Sequence, residues 1–334
     1  MLDRQTRTLP KAGRWLIAAF AVVVICHAGT AHAAASATDL NNPGYMTTAF
    51  QAFVTKINTA INATLGPGTP YIKWAHGLLL GAFVIKLIET LARYVWGKAG
   101  IGDFAEVIAS GAIITALYAT FNSWSTMFFM GGIDLGRLIQ AQALNDNGIM
   151  GPSLFIAQVY AGFKIQDTSW FSLGITEAIE NAIFLVAEVI VTGASYFAAI
   201  WPTLVFACVK LIGPVTFFTL FHERISFIFD GWLRFFLGAV FLATIGRVVL
   251  VVICLMYEAM FDQAYTTIAG AATNPIVITT ANFGAFLYIL SAAILSIILL
   301  FSAGAFTARL VGGADIGIGR TVGQIAKSIA LSVI

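Results

Sequence analysis

Charged residues are scarce in this chain. Of its 334 residues, only 10% are charged, whereas 59% are hydrophobic. Soluble domains usually carry about a quarter of their residues as charges, so this composition lies outside their range. A net charge of +2, with the 18 Lys and Arg residues dispersed, also excludes an ordinary electrostatic nucleic-acid-binding surface. The composition predicts an all-α, polytopic helical membrane protein.

Cysteine and histidine are also few. The three cysteines and four histidines form no CxxC pair and no group at metal-ligand spacing, which excludes a disulfide framework and a structural zinc site. Ser195 has no well-placed histidine partner among the apolar segments, and the glycine-rich stretch 317–323 lacks the spacing and the preceding strand of a dinucleotide-binding loop. The sequence therefore predicts no enzyme activity, no cofactor and no metal.

The N-terminus has the pattern of a secretory signal. An apolar run at 16–25 follows four basic residues: Arg4, Arg7, Lys11 and Arg14. Ala31 and Ala33 then supply the small residues that signal peptidase recognises. We interpret residues 1–33 as a cleaved signal peptide. The alternative is an uncleaved first anchor helix, and in both cases the chain continues in the periplasm.

Residues 34–70 are predicted to form a periplasmic amphipathic helix. Apolar residues recur there at helical spacing, with polar residues on the other faces: Phe50, Phe53, Val54, Ile57, Ile61 and Leu65. Such a helix lies on the membrane surface or against a partner. Pro67 and Pro70, among glycines, are expected to end it.

The transmembrane domain is predicted to occupy residues 71–306. It contains about five segments that reach the roughly 20 residues needed to cross a bilayer: 71–92, 104–130, 178–200, 232–256 and 283–306. Between them, the polar segment 131–176 is predicted as a periplasmic loop. The segment 201–231 is predicted as a cytoplasmic elbow, re-entrant or interfacial, because Pro202 and Pro214 interrupt regular backbone.

Loop charges predict the orientation of these segments. With the N-terminus outside, eight Lys and Arg residues fall on the cytoplasmic side and four on the periplasmic side. This bias fits the positive-inside rule. The C-terminal residues 307–334 are therefore predicted to form a cytoplasmic tail.

Ionisable residues inside the predicted spans are costly in hydrocarbon, so they are candidate functional residues. Glu188 and Arg247 lie at similar distances from the outer ends of their antiparallel predicted helices, and we predict a buried ion pair between them. A polar lining of a translocation path and a proton-relay carboxylate remain open. Gly77 and Gly81 have the small-xxx-small spacing that lets another helix pack closely against the first span.

The elbow concentrates charge among aromatic residues. Its charged triplet His222-Glu223-Arg224 is predicted to dock a partner, as is the pair Asp230 and Arg234, which lie four residues apart on one helix face. The alternative is an amphipathic elbow that only fixes topology. Six aromatic residues are predicted to anchor it at headgroup depth: Phe217, Phe218, Phe221, Phe227, Phe229 and Trp232.

These features together resemble the TrbL-like family, the polytopic inner-membrane component of type IV secretion and conjugation systems. The resemblance covers the mature chain in architecture and residues 210–236 in sequence. In that stretch Gly213-Pro214 is followed by an aromatic run and a Trp helix start, Phe229-Asp230-Gly231-Trp232-Leu233-Arg234.

The resemblance implies a channel or assembly-platform subunit of the bacterial inner membrane that helps to move DNA or protein substrates. It implies other inner-membrane subunits and ATPases as partners, a homo-oligomer, contact with membrane lipid, and transient contact with substrate. Two other functions remain open. A secondary transporter would be expected to show paired inverted repeats, and only one interrupted element is seen. A purely structural membrane scaffold is the other alternative.

Overall fold

In a computed structural model, the protein is described over residues 43–165, 175–265, 276–278 and 283–312. The predicted signal peptide 1–33 and the predicted tail beyond residue 312 lie outside these ranges. The chain divides after Met46 into two compact units, and the following description concerns the second, Thr47–Ile334.

The described residues are predominantly helical. The helices are α1 (Pro43–Thr64), α2 (Pro70–Val95), α3 (Ile101–Ala119), α4 (Phe121–Leu144), α5 (Gly151–Gly162), α6 (Ile175–Thr216), α7 (Phe227–Phe261) and α8 (Phe283–Gly312). A 3-10 helix, Phe217–Phe221, follows α6. Two three-residue strands, β1 (Phe163–Ile165) and β2 (Ile276–Ile278), pair in parallel. The predicted helical architecture is confirmed.

Four helical segments among the described residues are long and apolar enough to cross a membrane: Ile101–Ala119, Ala182–Phe221, Phe227–Phe261 and Phe286–Val311. They support a multi-pass membrane protein. The segments in α6 and α7, of 40 and 35 residues, are longer than the roughly 20 residues that one crossing requires. The predicted first span lies in α2, which is not among the four and which carries the ion-paired stripe Lys86, Glu89 and Arg93.

The predicted span 104–130 is supported over its first part, because Ile101–Ala119 is one of the four candidate membrane-spanning segments, but the helix ends there. Helix α3 ends at Ala119 and α4 begins at Phe121, with Thr120 between them. The Thr120 hydroxyl donates to Ala116 O at 2.8 Å and so satisfies an end carbonyl of α3. The apolar run continues across the turn because Phe121 is itself buried.

The segment 131–176, which the sequence predicts as a periplasmic loop, is largely helical over its described part. Helix α4 continues to Leu144, and α5 is buried along its length from Gly151 to Tyr160. The charges that indicated a loop are accommodated on α4, where Arg137 Nη1 donates to Asp134 Oδ1 at 3.3 Å. Oppositely charged residues three positions apart are neighbours on a helix surface, so this pair of charges is compatible with a helix.

The predicted elbow 201–231 begins later than expected. Helix α6 runs through both Pro202 and Pro214 and ends at Thr216. Each proline removes only one backbone donor from the helix, and neighbouring groups can satisfy the freed carbonyl in a packed membrane helix. The direction of the chain changes at residues 222–226, between the 3-10 helix and α7.

Helix α1 packs lengthwise on α6. The rings of Phe50 and Tyr196 stack with their centroids 5.4 Å apart, and Ile61 and Leu65 pack against Ala207 further along α6. The two helices therefore run in the same direction. The apolar face that the sequence predicted for α1 is the face turned towards α6.

Close helix packing occurs between α4 and α7 rather than at the predicted glycines. A Cβ added at Gly132 would lie 2.6 Å from Val240 O, and one at Gly136 would lie 2.7 Å from Arg247 Cδ. By contrast, a Cβ at Gly77 or Gly81 would meet no described atom within 4 Å. The prediction that Gly77 and Gly81 pack a helix is therefore wrong within the described part of this chain.

Candidate functional site

Arg247 is a charged residue buried within the bundle. It lies in α7 and is 8% exposed. Its Nη1 donates to Gln140 Oε1 of α4 at 3.3 Å. Burial of a guanidinium costs free energy unless polar groups hydrogen-bond to it. The stability of the buried Arg247 side chain therefore depends on its polar neighbours.

The predicted ion pair between Glu188 and Arg247 is wrong: no such pair forms in the described structure. A Cβ at Gly246 would lie 3.6 Å from Ala198 O, which sets the register of α7 against α6. Glu188 is ten residues before Ala198, which separates it from that level by about 15 Å along the helix. The prediction assumed that the outer ends of the two helices lie at one level, whereas the contact of Gly246 with Ala198 shows that these ends are staggered.

A chain of hydrogen bonds connects Arg247 to the end of α7. Gln140 is fully buried, and its Nε2 donates to Asp146 Oδ2 at 2.9 Å and to Gly148 O at 2.7 Å. Tyr265 donates its hydroxyl to the same Asp146 oxygen at 2.8 Å. We call Tyr265, Asp146, Gln140 and Arg247 the polar chain. Such a network fixes its members firmly when each is satisfied.

The local backbone explains how Asp146 enters this network. Asn145 ends α4 in the left-handed conformation, with φ 52°, and its N–H donates to Ala141 O. Asp146 Oδ1 then accepts from Gly148 N at 2.9 Å, which closes a tight turn. At Gly151 a Cβ would clash with Asp146 Oδ2 and would lie 2.7 Å from the Tyr265 hydroxyl. Glycine at 151 therefore makes room for the carboxylate.

Tyr265 is held as a hydrogen-bond donor. Burial raises the pKa of its phenol above the ordinary value of 10.0, and the hydrogen bond to Asp146 raises the pKa further. Its backbone N–H donates to Glu258 Oε1 at 2.7 Å. The phenol therefore stays protonated at neutral pH, and the polar chain keeps its direction from donor to acceptor.

Sequence reasoning missed most of this network. Asp146 was assigned to an external loop, and Gln140 and Tyr265 were not considered. The available signal was the Asn145-to-Gly148 stretch, a turn sequence that follows a helix containing small residues at Gly132 and Gly136. Such spacing is typical of closely packed membrane helices.

Lys210 is a second buried cation. It is 5% exposed, and its Nζ donates to Thr126 Oγ1 at 3.0 Å and to Asn62 Oδ1 at 3.4 Å. The ring centroid of Phe206 lies 5.7 Å from the same nitrogen. Although Lys210 lies within the segment 201–231 that the sequence predicts as a cytoplasmic elbow, it links α6 to α1 and α4 within the bundle.

The elbow presents part of the predicted charged set to its surroundings. Glu223 and Arg224 are exposed, and His222 is half-buried. The turn is closed by backbone hydrogen bonds from Ile225 and Ser226 to His222 O, each 3.0 Å long. Asp230 and Arg234 are half-buried on the first turns of α7, so they do not share the exposure of the triplet.

The aromatic residues of the elbow are mainly core residues. Four of the six predicted interfacial anchors are buried: Phe217, Phe221, Phe229 and Trp232. The indole of Trp232 donates to Val209 O at 2.9 Å. Phe227, in contrast, is 66% exposed. The prediction of headgroup anchors is therefore wrong for those four, which pack the base of the elbow instead.

Over the described residues, no three His, Cys, Asp or Glu side chains are grouped so that they could hold a metal ion. No protein-family model matches the chain, and no curated protein is significantly similar to it.

Proposed function

We propose that this protein is a channel or assembly-platform subunit of a type IV secretion system. In this role it helps to move DNA or protein substrate across the bacterial inner membrane, beside the system's ATPases and its other inner-membrane subunits. The observation that carries the proposal is the elbow between α6 and α7. The stretch that resembles the TrbL-like family forms this elbow, with a packed aromatic base and an exposed charged tip.

We call Gly213, Phe217, Phe229 and Trp232 the base of the elbow, and Glu223 and Arg224 its tip. The close packing of the base supports the proposal because it fixes the position of the tip. A Cβ at Gly213 would lie 2.9 Å from Trp232, so only glycine permits this approach of α6 to α7. Phe217 is fully buried between Phe121 and Phe229, with ring centroids 5.6 Å and 5.2 Å away. Edge-to-face rings at these distances stabilise one arrangement.

The tip supports the proposal because, among the described residues, the side chains of Glu223 and Arg224 form no ion pair and no hydrogen bond. Glu223 and Arg224 are exposed, next to the exposed apolar residues Phe227 and Ile228. A charged pair beside apolar side chains on a rigid turn suits docking of a protein partner, with the charges giving specificity. The proposed partner is a cytoplasmic or inner-membrane subunit of the same machine.

Three finer features belong to the proposal. The signal peptide is removed near Ala33, the mature N-terminus is periplasmic, and the elbow faces the cytoplasm. The signal-like N-terminus supports this orientation, as does the bias of Lys and Arg, which without the buried Lys210 is seven on the cytoplasmic side against four on the periplasmic side.

Charge reversal at the tip tests the docking role. We expect the double variant Glu223→Lys, Arg224→Glu to abolish substrate transfer in a strain lacking the native gene, while membrane level and thermal stability are unchanged. Lys98→Glu is the matched control, because Lys98 is also exposed and is predicted on the same side of the membrane. Normal transfer by the double variant at normal abundance would reduce the elbow to a structural turn.

A further inference from the structure

A small cleft lies between α4, α6 and α7, at the inner end of the polar chain. Its wall includes Arg247 from α7, and Ala198, Pro202 and Thr203 from α6. The cleft is separate from the elbow, so its interpretation does not depend on the proposed secretion role.

Helix α6 has a backbone acceptor without its usual donor at this cleft. In a regular helix, Ala198 O would accept from the N–H of residue 202. Pro202 has no N–H, and yet α6 continues through it. A buried carbonyl normally finds another partner, because leaving it unpaired is costly.

Arg247 brings unused donors to the same cleft. A guanidinium has five N–H donors, and within the described residues Arg247 donates to one side-chain acceptor, Gln140 Oε1. The side chain is more than nine-tenths buried. Arg247 and Ala198 both line the cleft, and Gly246, the neighbour of Arg247, lies against Ala198 O and Pro202.

The chemistry of the cleft selects a neutral ligand. An anion would meet Arg247 favourably but would be repelled by the open carbonyl oxygen and by the nearby Asp146 carboxylate. A cation would be repelled by Arg247. The ligand must accept from the guanidinium and donate to the carbonyl, and it must be small, because apolar side chains such as Ile133 and Ala243 close the remaining wall. Water satisfies all of these conditions.

We propose that the cleft is a specific hydration site, in which one water molecule accepts from Arg247 and donates to Ala198 O. The water extends the polar chain from Tyr265 to the backbone of α6 at Pro202. A helix break satisfied in this way is the arrangement by which long membrane helices tolerate an internal proline.

A structure of the full-length protein in nanodiscs, at a resolution that shows ordered water, tests this directly. We expect density in the cleft within hydrogen-bond distance of both an Arg247 guanidinium nitrogen and Ala198 O. A direct bond between the guanidinium and Ala198 O would overturn the proposal, as would a chloride ion or a lipid group in the cleft.

Thermal unfolding provides an independent test by a double-mutant cycle of Arg247→Met and Pro202→Ala. The second change gives Ala198 O its own helical donor, so the water loses its acceptor. We expect the loss of Tm caused by Arg247→Met to be smaller in the Pro202→Ala background, by roughly 1–2 °C, the shift expected for one hydrogen bond in a protein of this size.

Pro214→Ala is the matched control for that cycle. Pro214 is the other proline inside α6, and the carbonyl that it leaves without a helical donor is that of Lys210, away from Arg247. We expect Arg247→Met to be additive with Pro214→Ala. Equal additivity of Arg247→Met with Pro202→Ala would contradict the water bridge.

Discussion

Single glycines decide where polar groups can be buried in this protein. Gly151 is the clearest case, because the space of its missing side chain is taken by the Asp146 carboxylate and the Tyr265 hydroxyl. Asp146 cannot simply move aside, since its two oxygens accept hydrogen bonds from Gln140, Gly148 and Tyr265. The polar chain is therefore sensitive to one methyl group at this position.

We expect Gly151→Ala to lower the free energy of unfolding by about 1–3 kcal/mol, the usual cost of overpacking. Gly193→Ala is the control, because a Cβ there meets no described atom within 4 Å. It should be neutral or stabilising by up to about 1 kcal/mol, since Ala favours the helix. Chemical denaturation in detergent measures both, and equal effects of the two changes would contradict the account of Asp146.

The raised pKa of the Tyr265 phenol predicts how the stability of the protein depends on pH. Its folded pKa is raised above the ordinary value by burial and then by Asp146. The stability that it contributes is therefore fully present below about pH 10 and is lost as the pH rises further, because only the unfolded phenol ionises readily there. We expect the loss of Tm between pH 9 and about pH 11 to be less steep in Tyr265→Phe than in the wild type. An unchanged slope would exclude Tyr265 as a buried donor.

At the scale of elements, the contact between α4 and α7 sets the register of the core. Gly132 and Gly136 allow α4 to approach the backbone of α7, and the Thr244 hydroxyl donates to Gly132 O at 2.8 Å. The same approach brings Gln140 to Arg247. The polar chain therefore depends on helix packing two turns away.

The neighbours Gly131 and Gly132 form a matched pair that tests this packing. A Cβ at Gly132 would lie 2.6 Å from the Val240 carbonyl oxygen, which is backbone and cannot swing away, whereas one at Gly131 would meet no described atom within 4 Å. We expect Gly132→Ala to cost about 1–3 kcal/mol and Gly131→Ala to cost nothing. Equal stability of the two variants, measured by thermal unfolding, would contradict the close approach.

The sequence predicted the helical class and the approximate position of most helices, because long apolar runs are a strong local signal. It failed where a distant contact decides the outcome. The sequence gives no local signal for the turn at Thr120, because the residues on both sides of it are apolar. Phe121 is buried there by Gly213 and Trp232, which are distant in the sequence. Pro202 was interpreted as a break, although α6 continues through it.

The candidate site was less predictable than the fold for the same reason. Depth counted from predicted helix ends paired Glu188 with Arg247, but the register is set by Gly246 against Ala198. The true partner of Arg247 is the neutral residue Gln140, and nothing in the local sequence marks an amide in a polar segment as buried. The exposed charges Glu223 and Arg224 were predictable because a turn between long helices usually lies at the surface.

At the scale of the whole molecule, the proposed orientation places the elbow in the cytoplasm and the turn after α7 in the periplasm. We expect alkaline phosphatase to be inactive when fused after Arg224 and active when fused after Gln263, because the enzyme folds only outside the cytoplasm. The reverse activities would overturn the orientation, and with it the proposed cytoplasmic partner.

We propose that this protein works as a subunit of a type IV secretion machine. The most direct measurement is substrate transfer by a strain with an in-frame deletion of this gene, with and without a plasmid copy that restores the protein. The account predicts that the deletion abolishes transfer of DNA or protein and that the wild-type copy restores it. Transfer at the wild-type frequency in the deletion strain would contradict the account.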